Sequence, residues 1–412
     1  MKIKYRVSHH KPGIVQVNIK DLLLFSICFL SIRPDYFLQI KLFSMIYSWG
    51  TLLMSIYLIF WLIRDGNFAN PVMISLFFMY GWLGIVTVGN GNGLFVFLDT
   101  LSLPLFAIIG TYWGMQKDKR RFVQILAWIL CTYIVVNFFS IIIFPDGMAF
   151  GKMDFVNGAE EKRFFLGQKN TVIKFALLAE FAVVMKAVFE GCEMIKAEKI
   201  FGVLVFLTGI FAGSMVSVLA SFVPLVFMII GINRLPDIIN PLTAWIMNLV
   251  FYVLIIIMRK QEMFAYIIEV ILKKNLSFTS RTRLWDAAFE LIEKKILTGY
   301  GIEEKTDVVL KTGFNNDSFH NFVLDYLYQG GVVVLIIWTA IMVILYIMLK
   351  GAEDLKIRKI GNLFTFSYGV VWMSEPFTRS RITTFLIFLI VISVMCQRKK
   401  LLRIKFIVRN AS

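Results

Sequence analysis

The chain has 412 residues, 58% of them hydrophobic and only 17% charged, with a mean hydropathy of +0.75. Soluble domains average roughly 45–50% apolar and about 25% charged residues, so this composition excludes an ordinary soluble domain and points to an integral membrane protein. The net charge of +16 does not argue for a nucleic-acid partner, because basic residues also hold the cytoplasmic ends of membrane spans.

In chain order, apolar segments fall at 21–39, 42–63, 71–89, 94–115, 121–144, 171–190, 200–213, 215–231, 242–258, 331–349, 359–376 and 381–397, which predicts about twelve transmembrane helices. The first is interrupted by Arg33, Pro34 and Asp35. No small-residue cleavage site follows it, so it reads as a retained span. Gly213 and Ser214 leave little room for a turn, so 200–231 reads as two spans or as one broken helix. An even count puts the basic N-terminus, the Lys117–Arg121 cluster, Lys350 to Lys359 and the basic tail on the cytoplasmic side. The same count puts the Gly89–Gly93 turn, the 145–170 loop and the 259–330 island outside. The organisation expected is a membrane domain at 1–258 with about nine spans, an external loop at 259–330, three spans in 331–397, and a cytoplasmic tail at 398–412.

The island carries ten Lys/Arg against ten Asp/Glu. Residues 262–274 are predicted to form an amphipathic helix on the outer membrane surface. A second is predicted over 283–296, with Leu284, Ala288, Leu291, Ile292 and Ile296 on one face. Gly299-Tyr300-Gly301 stops it. Residues 302–318 read as a mobile loop, and Phe319 to Leu327 as the re-entering start of the next span.

Chemistry is expected in two outer segments. One holds Arg163, with Gly167 and Asn170 following. The other holds Arg281, Arg283, His320 and Asn321. Arginine suits a phosphate because its planar fork offers parallel donors and stays charged. Two separated segments offering arginines to one cavity look like a diphosphate clamp; the plainer reading leaves these arginines in water or at lipid headgroups. Histidine is the usual general base near neutral pH, although a single loop histidine also occurs as filler. Lys174, one turn past Asn170, would extend a phosphate site toward the membrane. Glu180 and Asp99 read as members of interhelical polar pairs, and Glu375 lies near the outer end of the eleventh span. The cysteines Cys28, Cys131, Cys192 and Cys396 are scattered singly and show no metal-ligand spacing. No early outer loop offers paired aspartates, and no phosphate-binding loop of the Gly-rich Lys/Ser kind is present. No metal and no cofactor are expected.

The order Ser280-Arg281-Thr282-Arg283-Leu284-Trp285, then Gly299-Tyr300-Gly301, then His320-Asn321, then Gly330-Gly331 resembles the O-antigen ligase and Wzy-type polysaccharide polymerase superfamily. Arg163, Gly167 and Asn170 before a span add to the resemblance. One departure is Ser214-Met215, where relatives often place an arginine after the serine. The resemblance implies an all-α, GT-C-like membrane glycosyltransferase, metal-independent, acting on undecaprenyl-diphosphate-linked sugars at the outer face of the bacterial cytoplasmic membrane. The function expected is a polymerase joining lipid-linked repeat units for capsule, exopolysaccharide or O-antigen, with inversion at the anomeric carbon. Arg163, Lys174, Arg281, Arg283 and Asn321 are expected to bind substrate, with His320 as the catalytic base. The alternatives are a ligase that moves a finished glycan to another acceptor, and a lipid-linked oligosaccharide flippase or other transporter. Expected partners are the lipid-linked oligosaccharide, the bilayer, and a flippase and chain-length regulator of the same pathway.

Overall fold

The computed structural model describes residues 18–65, 70–153, 160–191, 194, 196–260, 262, 266, 281–316, 318–375 and 377–397. The fold is helical throughout apart from one small sheet. The helices are α1 (Ile19–Ser31), α2 (Asp35–Gln39), α3 (Lys41–Asp65), α4 (Pro71–Gly89), α5 (Leu94–Ile143), α6 (Val172–Glu190), α7 (Lys196–Phe211), α8 (Met215–Ile230), α9 (Pro241–Phe251), α10 (Arg281–Lys294), α11 (Lys305–Thr312), α12 (Phe322–Lys350), α13 (Leu355–Trp372) and α14 (Thr383–Cys396). The sheet, absent from the sequence expectation, joins β1 (Ala149–Met153), β2 (Glu160–Phe164) and β3 (Gly167–Gln168) in antiparallel order.

Local chemistry sets the boundaries. Asn18 caps α1 by accepting from the Lys20 amide at 3.0 Å. The helix stops before Arg33-Pro34, because proline disfavours helical geometry in the residue ahead of it. Arg33 then folds back, its Nε donating to the Leu30 carbonyl at 3.0 Å and its Nη2 to Thr51 Oγ1 at 2.5 Å. Helix α5 is two helices meeting at Asp118, where φ is −164°. Residues 200–231 form two helices: α7 and α8 turn at 212–214 and pack closely, with Gly209 against Ser217 and Gly202 against Met228. Helix α9 continues into a wider turn of helix over Tyr252–Ile257.

Five helices among the described residues are long and apolar enough to cross a membrane: Lys41–Arg64, Pro71–Gly89, Leu94–Ile143, Phe322–Lys350 and Arg379–Cys396. The others are shorter or more polar. The chain is an all-α membrane protein, and the count of twelve spans remains an expectation.

Two further expectations change. Residues 302–318 are not simply a loop, because α11 lies within them and ends at Gly313 in the left-handed region (φ +73°). The surface helix expected at 262–274 falls outside the described residues except for 262 and 266. Helix α10 buries Leu284, Trp285, Ala288 and Ile292, while Ile296 beyond its end is exposed. Phe322 does begin a buried helical segment, and it runs to a break at Gly331, where φ is +65°.

Hydrogen bonds sort the loops into two ends. At one end Lys20 pairs with Asp118 and Arg121 with Asp21, and Gln124 reaches Glu190. At the other, Tyr36 N donates to the Phe165 carbonyl at 3.2 Å and Ser214 Oγ to Asn170 Oδ1 at 2.8 Å. Asn92 Nδ2 donates to the Tyr300 carbonyl there, also at 2.8 Å. Beneath this second end lies an aromatic block in which Phe322 stacks on Trp372 at 5.1 Å and tilts against Trp338 at 4.8 Å. The candidate site stands on that block.

Candidate functional site

The site forms where three loop segments at one end of the bundle meet the turn after α13. Arg281, the first residue of α10, donates through Nη1 to the Ser374 carbonyl at 2.9 Å. Its Nη2 lies 3.7 Å from Glu375 Oε1, an ion pair rather than a hydrogen bond. The same Oε1 accepts from Asn170 Nδ2 at 2.8 Å. Asn170 accepts in turn from Ser214 Oγ, which itself receives Ser217 Oγ at 2.7 Å. Asn321 donates through Nδ2 to the Met373 carbonyl at 3.1 Å. Arg281 and Asn321 thus hang on two consecutive carbonyls of one turn.

His320 is held on both sides. Its neighbour Phe319 donates its amide to buried Asp325 Oδ1 at 2.7 Å and accepts at its carbonyl from Trp285 Nε1 at 3.0 Å. On the other side Asn321 caps α12 by accepting from the Leu324 amide at 3.0 Å. His320 itself is half-buried with φ +53°, a left-handed conformation that costs a non-glycine residue energy and persists only where its surroundings enforce it. Trp285, one helical turn after Arg281, couples the arginine's helix to the histidine's loop. This is a physical reason for the Arg-to-Trp spacing.

The Gly-x-Gly motif serves close backbone contact. Tyr300 N and Gly301 N donate to the carbonyls of Tyr328 and Gln329, both at 2.8 Å. A Cβ on Gly299 would come 2.6 Å from the Tyr328 carbonyl oxygen, and one on Gly331 would come 2.2 Å from that of Leu297. The motif therefore locks the break in α12 below His320, and its glycines touch chain rather than substrate.

Lys174, in the first turn of α6, lies among the charges of Asp35, Arg381 and Glu375. The Asp35 carboxylate rests against Gly167 in the same loop as Asn170. Arg163 stands in β2, its carbonyl accepting from Met148 N at 2.8 Å, and takes no part in the Glu375 hydrogen bonds. Arg283 is exposed, as expected two residues along a helix from Arg281, where side chains face apart. The structure therefore brings Arg281, Lys174 and Asn321 to one end of the bundle around Glu375. It keeps Arg163 in the neighbouring sheet and turns Arg283 outward.

Sequence reasoning gave Glu375 no role and missed Arg379 and Arg381. Arg379 donates to the Glu303 carbonyl at 2.8 Å, tying the turn to the segment before α11. The available signal was an Arg-x-Arg pair directly before the last apolar segment. Arg281 and Arg381 are the cations that face the Glu375 carboxylate. Asp99 is exposed, and neither carboxylate oxygen of wholly buried Glu180 has a hydrogen-bond partner among the described residues, so Glu180 makes no interhelical hydrogen-bonded pair among them. Among the described residues no group of three or more His, Cys, Asp or Glu side chains is placed to hold a metal ion.

Residues 200–339 match the family model Wzy_C, O-Antigen ligase. The matched stretch contains Arg281, Trp285, the Gly-x-Gly turn, His320-Asn321 and Gly331, the residues that carry the resemblance to the O-antigen ligase and Wzy-type superfamily. A comparison with curated proteins finds no match. Over the matched stretch the chain is similar to the O-antigen ligase family, whose members are membrane glycosyltransferase-like enzymes, and the helical fold agrees with a membrane protein of that kind.

Proposed function

We propose that the protein is a polysaccharide polymerase joining undecaprenyl-diphosphate-linked oligosaccharide repeat units, for capsule, exopolysaccharide or O-antigen, at the outer face of the bacterial cytoplasmic membrane. The observation that carries this reading is the pairing of Arg281 and Asn321 with the adjacent carbonyls of Ser374 and Met373, which sets an arginine beside the His320 loop.

In this reading the donor diphosphate sits against Arg281, with Lys174 and Arg163 at its margins. The acceptor hydroxyl of a second lipid-linked unit attacks the anomeric carbon and gives its proton to His320. The bond from that carbon to the diphosphate oxygen breaks, and the electron pair leaves with the diphosphate. Fixed donors stabilise the charge as it develops there. Back-side attack inverts the anomeric centre. Arg283 has no part in this set, because its side chain faces outward. The gathering of the 145–170 loop, the 281–330 segment and the 373–382 turn at one end of the bundle supports the organisation read from the sequence. That organisation keeps both termini in the cytoplasm, with a flippase delivering substrate to the opposite face and a chain-length regulator acting on the product.

The test is the purified full-length protein in lipid nanodiscs supplied with one lipid-linked repeat unit. A ladder of longer lipid-linked glycans is expected. Transfer to a non-lipid acceptor without a ladder would replace polymerase by ligase, and movement of intact lipid-linked glycan across a vesicle without new bonds would replace both by a transporter.

A further inference from the structure

Three parts of the chain far apart in sequence meet at one carboxylate. Glu375 accepts from Asn170 at 2.8 Å and lies 3.7 Å from Arg281, and Asn170 accepts from Ser214 at 2.8 Å. The Glu375 side chain is 13% exposed and that of Arg281 24%, so neither is freely solvated. Arg281 starts a helix, and the residues immediately before it lie outside the described part. Among the described residues its guanidinium meets the Ser374 carbonyl and this carboxylate. A guanidinium so placed keeps its Nη2 edge for a further acceptor, since 3.7 Å is too long for a hydrogen bond.

We propose that Glu375 is the positioning residue of the donor site: its carboxylate ties the Arg281 guanidinium to the Asn170 amide and holds the two segments in the register in which Arg281 faces a lipid-linked diphosphate. This rests on the reading of Arg281 as a diphosphate ligand. Glu375 does not touch the substrate. It acts through Arg281 and Asn170. The charges that face it are Arg281 from α10, Arg381 from the turn before α14 and Lys174 from α6, with Asp35 beyond Lys174. The three cations outnumber the two carboxylates, which favours an anion beside them while the arginine stays aimed.

The experiment uses the full chain in nanodiscs with lipid-linked repeat units, comparing wild type, Glu375→Gln, Glu375→Ala and Asn170→Ala. Wild-type polymerisation is the first readout; if it is absent, the functional reading fails, not this inference. Given wild-type activity, Glu375→Gln keeps an acceptor for Asn170 and loses the charge opposite Arg281. Its kcat/KM for donor is expected to fall roughly tenfold and that of Glu375→Ala roughly a hundredfold, mainly through KM, on the scale of losing aim at a fixed donor. Asn170→Ala combined with Glu375→Ala is expected to be little worse than Glu375→Ala alone, because both break one unit. The pH profile separates positioning from mere packing. Protonation of the Glu375 carboxylate on acidification removes the charge opposite Arg281, so wild-type kcat/KM should fall toward acid pH, and Glu375→Gln should lack that dependence. A Glu375→Gln protein with wild-type kcat/KM across the pH range would overturn the proposal. So would a Glu375→Gln variant that loses activity only in proportion to a lost thermal transition.

Discussion

The two ends of the bundle use similar side chains in opposite ways. At the cytoplasm-facing end of our reading, Lys20–Asp118 and Arg121–Asp21 pair at 2.7 Å and 3.1 Å with side chains 28–49% exposed. At the other end Asn321 and Ser214 are buried and Glu375 and Arg281 are partly so; Arg281 and Asn321 donate to main-chain carbonyls, while Glu375 and Ser214 bond to the Asn170 side chain. An exposed ion pair gains little over hydration, whereas a buried polar group that loses its partner bears the full desolvation penalty. Geometry is therefore cheap to disturb at the first end and costly at the second. A polar network that costs energy to bury is found where aim matters.

The strongest test of that contrast is chemical. His320→Ala is expected to lower turnover by roughly 10² to 10⁴, the range of a positioned general base, while the protein stays inserted, because Phe319 and Asn321 hold the loop through groups other than the imidazole. Arg281→Lys keeps the charge and loses the fork, and is expected to cost roughly 10²-fold, near the value of one fixed donor. Rates in purified enzyme, with membrane levels as control, check both. Normal polymerisation by either variant would remove the site from this end of the bundle.

A smaller, structural effect is expected at the break in α12. Gly331→Ala would place a Cβ 2.2 Å from the Leu297 carbonyl oxygen at a φ of +65°. Strain and clash together should cost about 2–4 kcal/mol. A lowered thermal transition of the detergent-solubilised protein would show it. An unchanged transition would mean that the Gly-x-Gly turn does not lock the break.

Much of the helical layout was legible because an apolar run of membrane-spanning length has few other uses. The placement of Arg281, His320 and Gly299–Gly301 in one segment was legible from their order. Partner choice was not: Asn170 and Glu375 are 205 residues apart, and nothing local in either says that they meet. Arg283 could have been set aside from helical periodicity alone, since it lies about 200° round α10 from Arg281. The role of Ser214 was hidden by attention to the arginine it lacks beside it; its hydroxyl supports Asn170 instead. Helix α11 was missed because its charges resemble those of a loop, and only the packing of Val308 and Thr312 reveals its buried face.

The smallest effect belongs to the opposite end. Asp118→Asn removes the carboxylate that Lys20 Nζ reaches at 2.7 Å, with the two side chains 40% and 32% exposed. Water already solvates both groups and salt screens them, so the loss should be at most about 1 kcal/mol at low ionic strength and should shrink further in 1 M salt. Asp118 also accepts from the Arg121 amide at 3.0 Å where α5 breaks, and the asparagine can keep that bond through its own side-chain oxygen. Activity should be unchanged, since no contact of this pair reaches the turn that carries Glu375. Thermal transitions measured for wild type and variant at two salt concentrations decide the matter. A shift as large as that of Gly331→Ala, or one that survives high salt, would show that this end too depends on buried polar geometry and would erase the contrast between them.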